Sequence, residues 1–190
     1  ILFSNIASDA ELPARTVRDH LQLLEDTLLG CLLPAYRKTK TRKAAAASKF
    51  YFFDPGIPQA ILSRREPEVG TSEYGRTLEH LIFCELRAAL SYKRIDGKLS
   101  YWRSLSQFEV DFILEIPGAR PIAIEVKAAT KIAERDLKGL RAFGEDTKKA
   151  IRYVVCREHV PRDTDDGIRI RPVAHFLERL WKSPTLDMEG

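Results

Sequence analysis

Apolar positions recur at two different periods along this chain, and the change between them divides it. Val17, Leu21, Leu24 and Leu28 are spaced as one stripe of a helix. Leu12 to Thr16 reads as a turn into that helix, with Pro13 tolerated in its first turn, and Ile1 to Ala7 as the end of an earlier helix. A basic segment follows, then an apolar strand at Phe50 to Phe53. Pro55, Gly56, Pro58, Pro67 and Gly70 then break the pattern. Beyond them a long helix is expected over about Ser72 to Ser91. Extended runs follow at Leu99 to Trp102 and Phe108 to Ile116, then a strand at Pro121 to Lys127 and a helix around Ala133 to Phe143. Strands at Ile151 to Cys156 and Gly167 to Val173 precede a last helix, Val173 to Trp181. That order is an α/β layout with a central mixed sheet flanked by helices. The front order of helix, turn, helix, basic segment and strand suits a helix-turn-helix with a basic wing. A small helical subdomain with a solvated basic loop would give the same pattern. The expected division is a front subdomain at 1–58, a linker at 59–71, an α/β domain at 72–182 and a tail at 183–190.

Composition narrows the class. Of 190 residues, 44% are hydrophobic and 31% charged, which supplies a core and excludes wholesale disorder. No apolar run approaches the ~20 residues that span a bilayer, so no membrane partner is expected. Cys31, Cys84 and Cys156 lie too far apart for a disulfide framework or a CxxC metal site, and a reducing, cytoplasmic setting fits them. The chain begins Ile1-Leu2-Phe3 and its one Met is Met188, which reads as a piece of a longer protein. The net charge of +4 permits a nucleic-acid partner. Arg37, Lys38, Lys40, Arg42 and Lys43, with Lys49 beyond them, form a basic stretch that is the candidate DNA contact.

The candidate chemistry lies behind the divide. In the long helix Tyr74, Leu78, Leu81, Ile82, Leu86, Ala89 and Leu90 share a broad arc, with Arg76, His80 and Arg87 opposite. Glu79 and Glu85 fall inside the apolar arc, where a carboxylate is costly unless it is paired, hydrogen-bonded or metal-bound. Alternation along the next run sets Val110, Phe112 and Leu114 on one face and Glu109, Asp111 and Ile113 on the other. Glu125 and Lys127 share a face at the end of the third strand. Buried salt bridges and a Glu–Lys cross-link would account for these residues singly. As a set, Glu79, Asp111, Glu125 and Lys127 also suit a Mg²⁺ or Mn²⁺ site. Hard divalent ions take one or two carboxylates plus water and phosphate, and Lys127 would sit beside the bound water. Arg103 could meet phosphate or pair with Glu79 or Glu85, and Gln107 could lie near the site or at the surface. The four histidines have no metal-ligand spacing, and Asp163 to Asp166 reads as a solvated hairpin loop.

Gly75-Arg76-x-x-Glu79, Asp111 and Glu125-Val126-Lys127 resemble the PD-(D/E)XK nuclease superfamily. More specifically, the chain resembles the C-terminal region of bacterial and archaeal AAA-type ATPases, a domain of unknown function that follows the ATPase core. The matching stretches are Lys49 to Gly56, Gly75 to Glu79 with Glu85-Leu86, Tyr101-Trp102-Arg103, Glu109 to Phe112, Ile124 to Lys127, and Asp136 to Leu140. The resemblance implies a winged-helix segment in front and a restriction-endonuclease-like domain behind. It also implies Glu79 as the helical acid, Asp111 and Glu125 as metal ligands, Lys127 as the catalytic lysine, and DNA as partner. Two prolines of the pattern are replaced, by Ser48 before Lys49 and by Val110 before Asp111. No GxxxxGK[ST] occurs, since Gly97-Lys98 runs into Leu99, so any ATP would bind an N-terminal ATPase core of the same polypeptide. An inactive module of the same fold, binding nucleic acid or protein and regulating the ATPase, is the alternative. A stand-alone transcription regulator would leave the inward carboxylates without a role.

Overall fold

Val17 and Leu21 turn inward against Ala7, so the first stripe packs two short helices, α1 (Phe3–Asp9) and α2 (Ala14–Asp26), with Pro13 at the N-cap of α2. The computed structural model describes residues 3–36, 48–64, 67–104 and 106–183. The basic residues Arg37, Lys38, Lys40, Arg42 and Lys43 lie outside them. Leu28 does not belong to the stripe. The helix has already ended at Thr27, and Leu28 sits at φ 61°, 77% exposed. The chain then forms β1 (Gly30–Leu33), which pairs antiparallel with β2 (Lys49–Phe52). Its Gly-Cys-Leu-Leu run has no alternation of polar and apolar residues, which is why β1 has no signature of its own. A short helix, α3 (Gly56–Ile61), follows Pro55 inside the proline-rich divide, because proline is compatible with a helix start.

A six-stranded mixed sheet occupies the centre, in the order β3-β4-β5-β6-β8-β7. Its strands are β3 (Lys98–Arg103), β4 (Glu109–Glu115), β5 (Ile122–Val126), β6 (Ile151–Cys156), β7 (Arg162–Asp163) and β8 (Ile168–Pro172). β3, β4 and β5 are antiparallel, while β5, β6 and β8 run parallel. α4 (Ser72–Tyr92) and α6 (Val173–Lys182) cover one face, where Ile82, Phe83 and Leu86 meet Phe112, Ile124, Phe176 and Leu180. A 3-10 turn (Glu134–Leu137) leads into α5 (Lys138–Asp146) on the other face, where Leu140 and Phe143 meet Trp102, Val110, Ile113 and Val154. Leu33 and Tyr51 of the front ribbon lie in the α4 core, with Tyr51 stacked on Phe83 at 4.2 Å. No described helix is long and apolar enough to cross a membrane.

Three local readings change. Ser100 pairs with Ile113 and Trp102 with Val110, so Asp111 and Phe112 both oppose Tyr101, a β-bulge. The bulge breaks the alternation. Val110 joins Ile113 in the α5 core, while Phe112 and Leu114 face α4. His80, expected on the polar side of α4, is only 8% exposed because β2 crosses it there, and its Nε2–H donates to the Phe52 carbonyl at 2.7 Å. The acidic turn is paired as well as solvated, with Asp163 on Arg171 at 2.6 Å and Asp166 on Arg141 at 3.1 Å.

Gly139 of α5 lies against the first residue of β4. A Cβ there would meet the Glu109 carbonyl oxygen at 2.1 Å, and backbone cannot swing aside. Gly75 of α4 is the converse case, since its added methyl would find only Ala128 Cβ at an ordinary 3.9 Å. Gly139→Ala should therefore cost about 1–3 kcal/mol and lower the melting temperature by several degrees. Gly75→Ala should gain about 0.5–1 kcal/mol from lost unfolded-state freedom. Thermal unfolding of the two variants beside wild type checks the opposite signs.

Candidate functional site

The first turn of α4 is fixed by Thr71, whose Oγ1 accepts from the Tyr74 N–H at 3.2 Å. About two turns on, α4 delivers Glu79 to the side covered by β2. Residues two apart on a strand share a face, so Lys49 and Tyr51 both reach Glu79. The Tyr51 hydroxyl donates to Glu79 Oε1 in a short bond. Lys49 Nζ lies 2.6 Å from Glu109 Oε1, 3.0 Å from Glu79 Oε1 and 3.4 Å from Asp111 Oδ1, and 5.5 Å from the centre of the Tyr101 ring. The bulge turns Asp111 toward β5, where its Oδ2 accepts from the Val126 N–H at 2.9 Å, beyond the last ladder pair of β4 and β5. At the end of β5, Lys127 Nζ donates to Glu125 Oε1 at 2.6 Å. Glu125 Oε2 is buried and meets no hydrogen-bond partner among the described residues.

The structure brings the four expected site residues into two linked groups, Glu79 with Asp111 through Lys49, and Glu125 with Lys127. The other candidates fall elsewhere. Arg103 does not reach Glu79 or Glu85. It lies 3.7 Å from Glu109 on the solvent side and donates to Gln107. Glu85 accepts from Trp181 Nε1 at 2.7 Å, locking α4 to α6. Sequence reasoning missed Tyr51 and Glu109, and it misplaced Lys49, grouped with the basic stretch but turned inward onto three acids. The period-two pair Lys49 and Tyr51 was the available signal.

The site holds more negative than positive charge. Glu79, Glu109, Asp111 and Glu125 face the ammoniums of Lys49 and Lys127. Burial pushes the Asp111 carboxyl above its ordinary range, and the nearby Glu79 adds to the shift. Burial does the same to Glu125, with Asp111 adding to it. For Lys49, burial opposes the charge, but Asp111, Tyr51, Glu79 and Glu109 outweigh it and hold the proton firmly. Burial also works against charge at Lys127, and Glu125 more than compensates. Among the described residues no group of three His, Cys, Asp or Glu is arranged to hold a metal ion. The available donor set is the pair Asp111 and Glu125, within the one or two carboxylates that Mg²⁺ accepts.

The two raised carboxyls bind protons more tightly folded than unfolded. Their contribution to stability is complete below the ordinary carboxylate value of ~4 and is lost as the pH rises through the raised folded values. Glu125→Gln removes one of them. Its stability advantage over wild type should widen between about pH 5 and about pH 8, read as urea midpoints, and a shrinking advantage would contradict burial as the cause.

The family model described as Domain of unknown function (DUF4143) matches residues 74–176, more than half of the chain. A second, Domain of unknown function (DUF8612), matches residues 1–68. No curated protein matches. A solved assembly of Thermococcus gammatolerans McrB AAA+ hexamers with bound McrC is similar at 10% identity and a TM-score of 0.36, over 52% of this chain and 27% of that one. The residues of the candidate site behind the front ribbon, from Glu79 to Lys127, all lie inside the first match, and the chain belongs to the DUF4143 family.

Proposed function

We propose that the α/β domain is a divalent-metal-dependent phosphodiesterase of the PD-(D/E)XK kind that acts on DNA, carried on a polypeptide with an AAA-type ATPase core. The observation that carries this reading is Glu125 Oε2. A buried acceptor left unpaired costs about 1–3 kcal/mol, and a carboxylate oxygen beside a second carboxylate and a lysine suits an ion better than an empty core. Asp111 and Glu125 would hold Mg²⁺ or Mn²⁺, which when bound supplies positive charge for the phosphoryl oxygens. Lys127 keeps its proton, so its role is that of a donor that orients water and steadies developing negative charge, not of a base. Glu79 contacts Lys49 and Tyr51 and acts through them. The two front helices and the β1–β2 ribbon serve as a winged-helix element, with Arg37, Lys38, Lys40, Arg42 and Lys43 contacting DNA phosphates.

A second reading, a non-catalytic module that regulates the ATPase, is favoured by Lys49, which already meets Glu79, Glu109 and Asp111. It predicts salt-sensitive nucleic-acid binding and no uptake of Mg²⁺ or Mn²⁺.

Plasmid and single-stranded DNA incubated with Mn²⁺ should be cut by wild type. Asp111→Ala and Lys127→Ala should each be slowed at least about a hundredfold. Equal cutting by all three proteins would remove both residues from the chemistry. Calorimetric Mn²⁺ titration of wild type against Glu125→Gln supplies the readout that does not depend on turnover, with binding expected only in wild type.

A further inference from the structure

Lys49 reaches the acidic site from a different part of the chain. It sits on β2, within the segment matched by the second family model, whereas Glu79, Glu109 and Asp111 belong to the first. Its three contacts are graded, with Glu109 at 2.6 Å, Glu79 at 3.0 Å and Asp111 at 3.4 Å. The ammonium, on a flexible four-carbon stem, can withdraw from Asp111 and keep both glutamates. Asp111 has less freedom. Its Oδ2 already accepts from the Val126 N–H at 2.9 Å, and the geometry leaves Oδ1, the atom that Lys49 touches, as the oxygen with more lone-pair capacity for an ion once the lysine withdraws. An ion and the ammonium therefore contend for one atom.

We infer that Lys49 is a tethered counter-ion that competes with a divalent cation at Asp111 Oδ1, so that the seating of the β1–β2 ribbon governs metal uptake. The inference rests on the metal-binding reading above and adds its regulation. Tyr51 holds the ribbon down, through its bond to Glu79 and its stacking on Phe83. Lifting the ribbon withdraws the lysine and exposes Asp111. Coupling between two ligands of one site is reciprocal, so an ion that takes Oδ1 weakens the hold on β2 by the same factor. A DNA or protein partner that pulls on the front segment would thereby load the site with metal.

Mn²⁺ titrations of wild type and Lys49→Met test this, with thermal unfolding as the check on folding. Lys49→Gln, which keeps a polar end for the two glutamates, carries the test where the methionine variant does not fold. Removing a unit charge a few ångströms from a ligand atom in a half-buried site should tighten Mn²⁺ binding roughly tenfold or more. In wild type, saturating Mn²⁺ should speed amide hydrogen exchange in β2 while leaving β5 and β6 unchanged. Equal or weaker binding by the variants, with wild type still binding, overturns the competition and leaves the metal reading standing. Unchanged exchange in β2 overturns the link to the ribbon. Folded wild type and folded variants that all ignore Mn²⁺ overturn the metal reading and this inference together.

Discussion

The ammonium of Lys49 among three carboxylates is the contact on which the arrangement of the molecule turns. Glu79, Glu109 and Asp111 come from a helix and the adjoining strand, and their negative charges would repel one another in a half-buried space. Surface ion pairs are worth little, but breaking a buried one leaves an uncompensated charge that costs several kcal/mol. One lysine on β2 answers all three acids, and by doing so fastens the front ribbon to the sheet. The apolar contacts follow the same line. Tyr51 stacks on Phe83 and Leu33 enters the α4 core, so polar and apolar contacts hold the ribbon at one edge.

That cluster needs an irregular strand. Regular alternation would point Asp111 at the α5 core together with Ile113. The bulge gives it a second orientation, with one carboxylate oxygen on the Val126 N–H and the other near Lys49. Asp111 thereby replaces a backbone acceptor where the β4–β5 ladder ends. Gly139 protects the start of the same strand, because its lack of a side chain lets α5 lie directly on the Glu109 backbone. The site is thus framed by packing on both sides of the sheet and by a local defect in the sheet itself.

How much of this the sequence exposes depends on the range of the forces involved. α4, β5 and β6 are long enough to show their periods, and each forms close to its expected limits. Glu125 and Lys127 are legible because two residues on one strand must share a face. β1 has no polar–apolar alternation and α3 is shorter than two helical turns, so neither shows a period. Leu28 fits the helical stripe by spacing, yet the chain has already turned at Thr27. The inward turn of Lys49 is set by acids 30 and 62 residues away, and locally only its period-two spacing from Tyr51 sets it apart from the basic stretch before it. The bulge is decided by the pairing of two strands, and His80 by a strand crossing above it. Neither is a property of its own segment.

The two lysines of the site differ in a way that bears on what it can bind. Lys127 and Glu125 are two residues apart on one strand, so their pairing is a nearly fixed property of β5. It involves one oxygen of Glu125 and leaves the other buried and unmet. Lys49 comes from another segment, and its longest contact is to the one acid that also borders Glu125 electrostatically. On the proposed metal-binding reading, an incoming cation would meet one ligand oxygen that is unpaired and a second held by a group with two other acid partners. The contact given up on that reading would be the 3.4 Å one, while the two glutamates keep the ammonium. A divalent ion would, on the same reading, suit that position better than a monovalent one, because four acids face only two ammoniums there.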